Sequence, residues 1–326
     1  MKNIFIILSF ISTILLSSCT NDDMPVDQSI TFKINPATVV SSLVENSAGD
    51  LSTVDSDSKL YVSLYIYNKA GNLVASETQK FSDYTHIMNS IQKLEDGDYT
   101  IVTSTHIEKN DGMKYWNFSG QDNLSTFSVS DEGYIGGASK ILGLTAKQIQ
   151  VSSATKGIAM SVECAGAVAL IKVMNWNRYS DVSTFGLMSN KSCDNVTFDY
   201  NGKQNYSIIT ENDYNYWMTK WTYSSGHSGG YGYCFMFPYT NINMSFVAIT
   251  ASDSRIYLGE PCNSDIEIGH TYLFTYDVTS EKTYWYDVTV STSSKALRAN
   301  TFSQINNTDD NLLNFEYKSK AISIVQ

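Results

Sequence analysis

Residues 60–67, Leu60-Tyr61-Val62-Ser63-Leu64-Tyr65-Ile66-Tyr67, alternate strictly between an aliphatic residue and a Tyr or Ser. A period of two is typical of a β-strand, and it places the four aliphatic side chains on one face. The turn-forming residues 68–72 follow, and residues 73–76, Leu-Val-Ala-Ser, return with strand-forming character. The two segments therefore predict a β-hairpin with an aliphatic face turned toward a core.

Similar short segments recur along the chain. The tight turn around Gly97 leads into an alternating strand at Tyr99–Val102, and Asn201-Gly202 marks a second turn. Residues 84–94 fit either a strand or a short helical turn. The chain has 22 Tyr and only four Pro residues, a composition that favours long strands. Further strand-like segments are 116–129, 139–151, 157–174, 195–200, 205–209, 233–237, 244–250, 255–258, 272–278 and 284–290.

This pattern predicts an all-β protein of two tandem β-sandwich domains. We expect the N-terminal sandwich over residues 30–153 and the C-terminal sandwich over residues 154–290. A C-terminal extension over residues 291–326 ends in the strand-like segment Ala321–Gln326. With 42% hydrophobic residues, the chain of 326 residues is not an intrinsically disordered one.

The N-terminus has the features of an export signal. Lys2 gives a positive start, residues 4–16 are apolar, and Ser17-Ser18 precedes Cys19. The apolar stretch is too short for a comfortable membrane-spanning helix. Leu16-Ser17-Ser18-Cys19 resembles the lipobox of bacterial lipoproteins, which implies a signal peptide at 1–18, cleavage after Ser18 and acylation of Cys19. An ordinary cleaved signal with an incidental Cys is the alternative interpretation.

Residues 19–29 are expected to form a lipidated tether. Asp22 and Asp23 lie close behind Cys19, and such acidic residues resemble the surface-export signal of outer-membrane lipoproteins in the Bacteroidota. The alternative is that both residues only begin a solvated linker. The expected location is therefore the outer membrane, with the protein lipid-anchored and exposed at the cell surface.

The formal net charge of −11 limits the partners of the protein. An acidic surface repels phosphate backbones, so nucleic acid is excluded as a principal partner. It is equally repelled by anionic membrane surfaces, so we expect attachment through the outer-membrane lipid alone.

Neither an enzyme nor a cofactor is predicted. The four His residues are scattered and no Cys-x-x-Cys occurs, which argues against a metal site. The carboxylates around Gly97 lack the pattern of a calcium loop and fit a solvated turn. Residues 225–233 contain a His among Ser and Gly residues but lack the context of a hydrolase or phosphate loop. No residue is therefore assigned a catalytic role.

Four cysteines remain after the lipidation site. An even number in an exported chain permits two disulfides with three possible connectivities. Buried free thiols, which behave as small hydrophobic side chains, are the alternative. The cysteines are Cys164, Cys193, Cys234 and Cys262.

Several of these segments carry a family resemblance. Tyr67–Val74 followed by Leu94–Val102 resembles the first domain of Bacteroidales-type fimbrillins and their fimbrial anchor lipoproteins. Phe237-Pro238 and the strand opening Ile268–Tyr272 are similar to the second domain of that family. The resemblance implies two transthyretin-like β-sandwiches and assembly with other fimbrial subunits by β-strand complementation, in which a neighbour's strand fills an open groove. Its implied function is that of a fimbrial anchor or accessory subunit in cell adhesion.

The resemblance also bears on whether the chain polymerises. Polymerising members of the family lose an N-terminal strand by cleavage, typically after Arg, but the first Arg here is Arg178. Residues 30–34 alternate as a strand, which we expect to stay in place and fill the groove of the first domain. Lys33 or Lys59 are alternative cleavage points. The C-terminal segment is expected either to pair with a partner or to fold back onto its own domain.

An aromatic cluster supports a rival interpretation. Seven Tyr and Trp residues lie between positions 214 and 233, and such residues either stack on sugar rings or fill a β core. The rival function is therefore a surface glycan-binding lipoprotein of a polysaccharide-uptake system. Its candidate binding platform is Trp217, Trp221 and Tyr231.

Overall fold

The computed structural model describes residues 29–39, 54–132, 140–175, 182–210, 216–227, 230–250, 256–259, 262–277, 282–287 and 320–325. Apart from one helical turn at 37–39, the regular structure of these residues is β-strand, as the sequence predicts. The first ten strands are β1 (Ser29–Ile34), β2 (Ser58–Asn68), β3 (Leu73–Phe81), β4 (Met88–Lys93), β5 (Gly97–Lys109), β6 (Trp116–Ser119), β7 (Ser128–Asp131), β8 (Gly143–Val151), β9 (Ala159–Val162) and β10 (Ala169–Asn175). The others are β11 (Val182–Ser189), β12 (Lys191–Phe198), β13 (Gln204–Thr210), β14 (Tyr216–His227), β15 (Gly230–Met236), β16 (Tyr239–Thr250), β17 (Ile256–Gly259), β18 (Cys262–Ile266), β19 (Thr271–Asp277), β20 (Lys282–Asp287) and β21 (Lys320–Val325).

Three small sheets form the first part of the fold. The middle sheet has the order β3-β2-β5-β8, the N-terminal sheet has the order β4-β1-β9, and the hairpin sheet has the order β13-β12-β7-β6. The predicted hairpin of residues 60–76 forms β2 and β3, with Gly71 at a φ of 81° in the turn. Residues 84–94, for which strand and helical turn were both open, contain strand β4, which begins at Met88.

The aliphatic face of the middle sheet meets the N-terminal sheet. Thr103 Oγ1 donates to the carbonyl of Glu163, 2.9 Å away, and Thr105 Oγ1 donates to Cys164 Sγ at 3.1 Å. Glu163 and Cys164 directly follow β9, so these bonds join the two sheets across the core. The aliphatic residues that share this face of β2 are all fully buried, as expected: Leu60, Val62, Leu64 and Ile66.

The opposite face of the middle sheet is also covered, here by the hairpin sheet. The ring of Phe127 makes edge contacts with Tyr65 and Tyr67, at centroid distances of 5.2 and 6.4 Å. Tyr67 is completely buried, and its hydroxyl donates to the carbonyl of Gln121 at 2.8 Å. The Tyr and Ser positions of β2 therefore face a second core layer, because Tyr can bury its ring while its hydroxyl keeps a hydrogen bond.

His106 lies in this second layer. Its ring stacks on Tyr61 and lies 4.5 Å from the ring of Phe118 between centroids. The Nε2 atom is 3.1 Å from Glu108 Oε1, whereas the buried Nδ1 atom has no hydrogen-bond partner among the described residues. Burial lowers the pKa of His106 below its usual value of 6.5, although the Glu108 carboxylate opposes this shift.

The hairpin sheet joins strands that are far apart in the sequence. Its β6–β7 pair comes before the predicted domain boundary at 153/154, and its β12–β13 pair comes after it. Val196 and Thr197 of β12 pair with Val129 and Ser128 of β7. Strand β9, also beyond the boundary, pairs with β1. Residues 153 and 154 are therefore not a break in strand pairing.

The remaining described strands form one ten-stranded sheet, in the order β14-β11-β16-β17-β21-β20-β19-β10-β15, with β18 on β16. Strands β14 and β15, at opposite ends of this order, are consecutive in the chain and in contact. The C-terminal strand β21 joins the two halves of the sheet, because it pairs with β17 on one edge and with β20 on the other.

Candidate assembly site

Strand β1 is the central strand of the N-terminal sheet. It pairs antiparallel with β4 over its whole length and parallel with β9 over four residues. The N–H of Thr31 donates to the carbonyl of Ile158 at 3.1 Å, and the N–H of Gly157 donates to the carbonyl of Ser29 at 2.7 Å. The backbone of β1 is therefore hydrogen-bonded along both edges.

The side chains of β1 alternate between core and solvent. Ile30, Phe32 and Ile34 are fully buried, whereas the side chain of Lys33 is exposed. Full burial of an Ile or Phe side chain contributes about 1.5–3 kcal/mol, so the three contribute roughly 5–9 kcal/mol before conformational entropy is subtracted. That amount is comparable with the whole net stability of an ordinary domain, about 5–15 kcal/mol.

Residues 35–39, directly after β1, form a short plug that is held in place by hydrogen bonds and by one buried side chain. The side chain of Asn35 accepts a hydrogen bond from the N–H of Ala37 at 3.1 Å, and Thr38 Oγ1 donates to the carbonyl of Cys164 at 3.0 Å. The helical turn places Val39, fully buried, against β8. A Cβ atom at Gly143 would lie 2.4 Å from Val39 Cγ2, so the plug fits only because Gly143 has no side chain.

The sequence pattern does not predict the plug. Val39 and Gly143 are 104 positions apart, and neither belongs to a recognisable motif. The one local signal is Asn35-Pro36, because Pro is favoured in the first turn of a helix and Asn can cap it.

Strand β21, near the C-terminus, is also paired with a neighbouring strand on each of its two edges. Ile322 and Ser323 pair with Thr283 and Lys282 of β20, and Val325 pairs with Leu258 of β17. Of the two alternatives drawn from the sequence, this structure contains the one in which the terminal strand folds back onto its own chain.

Two cysteines that the structure describes are free thiols and do not form disulfides. Cys164 and Cys193 are buried free thiols, so the disulfide alternative does not hold for these two. Cys193 lies in β12, whereas Cys164 lies in the segment that follows β9. Each sulfur has its own polar contact, Cys164 with Thr105 Oγ1 and Cys193 with the Asn195 carbonyl. Burial raises the pKa of Cys164 to about 11 and that of Cys193 to about 12, which makes both thiols unreactive.

The other two cysteines are Cys234 and Cys262, and both lie in strands of the ten-stranded sheet. Cys234 is buried in β15. Cys262 begins β18, and its side chain lies outside the part of the chain that the structure describes.

Several site residues expected from the sequence also lie outside the described residues. These include the cleavage and lipidation positions and the proposed export signal, Ser18, Cys19, Asp22 and Asp23. Within the aromatic cluster, the structure describes the backbone of residues 216–227, which form β14, and of residues 230–233, which begin β15. The side chains of its three predicted platform residues are outside the described part of the structure: Trp217, Trp221 and Tyr231.

The carboxylates around Gly97 face lysines rather than one another. Asp96 lies 2.7 Å from Lys156 Nζ, and Asp98 lies 3.5 Å from Lys69 Nζ. Within the described ranges, no group of three His, Cys, Asp or Glu side chains is arranged to hold a metal ion. No helix in that part of the chain is long and apolar enough to cross a membrane.

Comparison with known proteins gives a result only at the level of structure. No family model matches the sequence, and no curated protein matches it. A structure of a candidate adhesin from Bacteroides thetaiotaomicron has 10% sequence identity and a TM-score of 0.44, and the match covers 78% of this chain and 94% of the adhesin. The fimbrial anchor protein Mfa2 from Porphyromonas gingivalis has 12% identity and a TM-score of 0.40, with coverage of 76% and 90%.

A third similar structure is the tip fimbrial protein Mfa3 from Porphyromonas gingivalis, in a C-terminally truncated form. It has 8% identity and a TM-score of 0.38, and the match covers 76% of this chain and 93% of that protein. These three proteins are of the kind that the sequence motifs resemble. At such identities and TM-scores the likeness assigns neither a family nor a function to this chain, and a function must be argued from its own residues.

Proposed function

We propose that the protein is a cell-surface lipoprotein that acts as a fimbrial anchor or accessory subunit. It is attached to the outer membrane through acylated Cys19 and assembles with other fimbrial subunits by β-strand complementation. The proposal combines the lipobox and the family motifs of the sequence with the way in which β1 is built into the fold.

The observation that carries the proposal is the position of β1. Only nine residues separate Cys19 from Ser29, so any force on the protein reaches the lipid through β1. A strand paired on both edges, with Ile30, Phe32 and Ile34 buried beneath it, resists extraction from the fold. Such a strand suits a subunit that stays attached to the membrane while a fimbrium extends from it.

The same strand is a poor substrate for processing. No Arg precedes Arg178, and the alternative cleavage point Lys33 lies between Asn89 of β4 and Ser161 of β9 in the pairing register. Lys59 is within β2 and pairs with Glu108 of β5. Proteases cut exposed and unpaired loops far more readily than strands inside a sheet. Retention of β1 leaves no empty groove at the N-terminal sheet for another subunit's strand.

Complementation is therefore proposed at the other end of the chain. Strand β21 has only two register partners in β17 and four in β20. Its removal would expose the edges of both neighbours, and exposed edges accept a strand from another chain. An exchange of β21 between copies or subunits gives the protein a polymer contact that does not disturb β1.

Removal of the gene from the cell tests this function. An anchor is expected to hold fimbriae on the cell, so its loss should release fimbrial subunits into the medium. An accessory subunit is expected to bring other subunits into the fimbrium, so its loss should change fimbrial composition. Wild-type protein should restore both properties, and a Cys19→Ala variant should not restore attachment. Fimbriae that are unchanged in amount, location and composition would contradict the proposal.

A further inference from the structure

A polar groove of about 500 Å³ opens at one end of the middle sheet. Its floor consists of the first residues of β5 and the last of β8, where Asp98 pairs with Gln150 and Thr100 pairs with Gln148. The tip of the β12–β13 hairpin forms one wall with Tyr200 and Asn201. The volume lies within the range of about 300–1,000 Å³ that is usual for small-molecule sites.

Tyr200 is the most exposed large hydrophobic residue in the described structure, at 78%. Its exposure is not the result of a loose loop. Asp199 Oδ1 accepts hydrogen bonds from the N–H groups of Asn201 and Lys203, at 2.8 and 2.9 Å, and the N–H of Gly202 donates to the Asp199 carbonyl at 2.9 Å. The backbone on both sides of the Tyr200 ring is therefore fixed before any ligand arrives.

The hairpin tip is also seated against the middle sheet. Gly202 has a φ of 81°, and a Cβ atom there would lie 3.0 Å from Ala146 Cβ and 3.3 Å from Thr100 Cγ2. The close approach is possible because position 202 has no side chain. It sets the distance between the Tyr200 ring and the polar floor.

The polar groups of the groove are weakly engaged with each other. Gln148 Nε2 donates to Asn201 Oδ1 over a long 3.4 Å, and Lys69 Nζ lies 3.5 Å from Asp98 with both side chains more than half exposed. Exposed ion pairs of this kind contribute little energy. Redirecting these groups toward a ligand therefore costs little.

We propose that this groove binds a short, neutral saccharide. The face of an exposed aromatic ring packs against the C–H groups of a pyranose ring, and Tyr offers this apolar area at low conformational cost. Carboxamides donate and accept at once, which matches the paired hydroxyls of a sugar, and the Asp98 carboxylate adds strong acceptors. The net charge of −11 disfavours polyanionic glycans, so the ligand is neutral.

The described residues that line this groove do not include the platform predicted at Trp217, Trp221 and Tyr231. It does not depend on the retention of β1, because the groove is built from β5, β8 and the β12–β13 hairpin. Failure of sugar binding would leave the anchor function intact, and cleavage of β1 in cells would leave the groove proposal intact.

The test is calorimetric titration of the mature protein with maltohexaose, cellohexaose, mannohexaose, xylohexaose and chitohexaose, with polygalacturonate as the anionic comparator. We expect at least one neutral hexasaccharide to bind and polygalacturonate not to bind. Tyr200→Ala should weaken that binding at least tenfold, whereas Tyr200→Trp should keep it within about threefold. Gly202→Ala should also weaken binding, because it displaces the hairpin tip, and the Tyr200 ring with it, without changing the Tyr200 side chain itself. Ile91→Ala, which changes an exposed residue of β4, is the matched control and should bind as wild type.

Three results would overturn the groove proposal. One is that no neutral hexasaccharide binds. Another is that Tyr200→Ala, shown to be folded by its thermal melt, binds as tightly as wild type. The third is that binding is lost in a Trp217→Ala, Trp221→Ala double variant but is unchanged in Tyr200→Ala, which would assign the sugar to the other cluster.

Discussion

Phe32→Ala is expected to destabilise the whole N-terminal part of the fold, because β1 is a structural strand and not an appendage. Phe32 is completely buried at the centre of β1, between Ile30 and Ile34. Truncation of a buried Phe to Ala costs about 3–5 kcal/mol, the sum of the lost transfer free energy and the cavity that remains. Since a domain of this kind has about 5–15 kcal/mol of stability, the variant should lose about a fifth of it or more.

The matched control lies in the same sheet. Ile91 of β4 pairs with Thr31 of β1, but its side chain is 67% exposed on the outer face. Ile91→Ala removes a comparable apolar side chain without opening a cavity, so its effect should stay within about 0.5 kcal/mol. The comparison separates the burial of β1 from the general effect of changing an apolar residue in the N-terminal sheet.

The assay is equilibrium unfolding in urea, followed by far-ultraviolet circular dichroism and by tryptophan fluorescence, to which buried Trp116 contributes. Phe32→Ala should shift the midpoint to lower urea with little change in slope, and Ile91→Ala should leave the midpoint in place. A loss below about 1 kcal/mol for Phe32→Ala, or equal losses for both variants, would refute the reasoning that β1 is part of the core.

Three further predictions concern the anchor, its export and the buried histidine. Cys19→Ala should abolish palmitate labelling, because the acyl chains on this residue are the expected membrane attachment, and persistent labelling would contradict the lipobox assignment. Replacement of Asp22 and Asp23 by Ala should leave a lipidated protein that external protease cannot reach on intact cells; unchanged shaving would reduce both residues to linker positions. His106, whose pKa is lowered by burial, stabilises the fold in its neutral form, so stability should fall as the pH drops below about 6.5. His106→Gln should flatten this part of the pH–stability curve, and an unchanged slope between pH 7 and pH 5 would contradict the assignment.

The strands with clear alternation could be predicted from the sequence. In residues 60–67 and 30–34, the period of two shows which side chains share one face of a strand, because successive side chains of a strand point to opposite faces. Gly71 and Gly202 marked their turns because both adopt a φ of 81° that other residues rarely take. These signals are local, and each can be seen within about ten residues.

The partners of the strands could not be predicted in the same way. Nothing in the alternation of β12 indicates that Val196 pairs with Val129 across 67 positions, because periodicity specifies a buried face but not the strand beside it. The Tyr face of β2 also resembles a solvent-exposed face, since Tyr and Ser are polar. Its burial depends on the hairpin sheet and on the hydrogen bond from Tyr67 to the Gln121 carbonyl.

The candidate sites also differ in whether they are formed by one contiguous segment or by distant segments. The proposed lipobox is a contiguous motif, so acylation of Cys19 is a prediction that the sequence alone permits. The contact of Val39 with Gly143 and the groove beside Tyr200 are each formed by segments that are distant in the sequence, so they become visible only in three dimensions. The pairing of cysteines likewise depends on distances that sequence spacing does not specify, and Cys164 and Cys193 are buried free thiols.

The retention of β1 is the central claim, and intact-mass spectrometry of the protein taken from cells tests it most directly. The account predicts a mature chain that begins at acylated Cys19 and still contains Ser29–Ile34. A mature N-terminus beyond residue 35 would show that β1 is removed, that its groove is opened to another subunit's strand, and that the protein is a polymerising pilin and not an anchor.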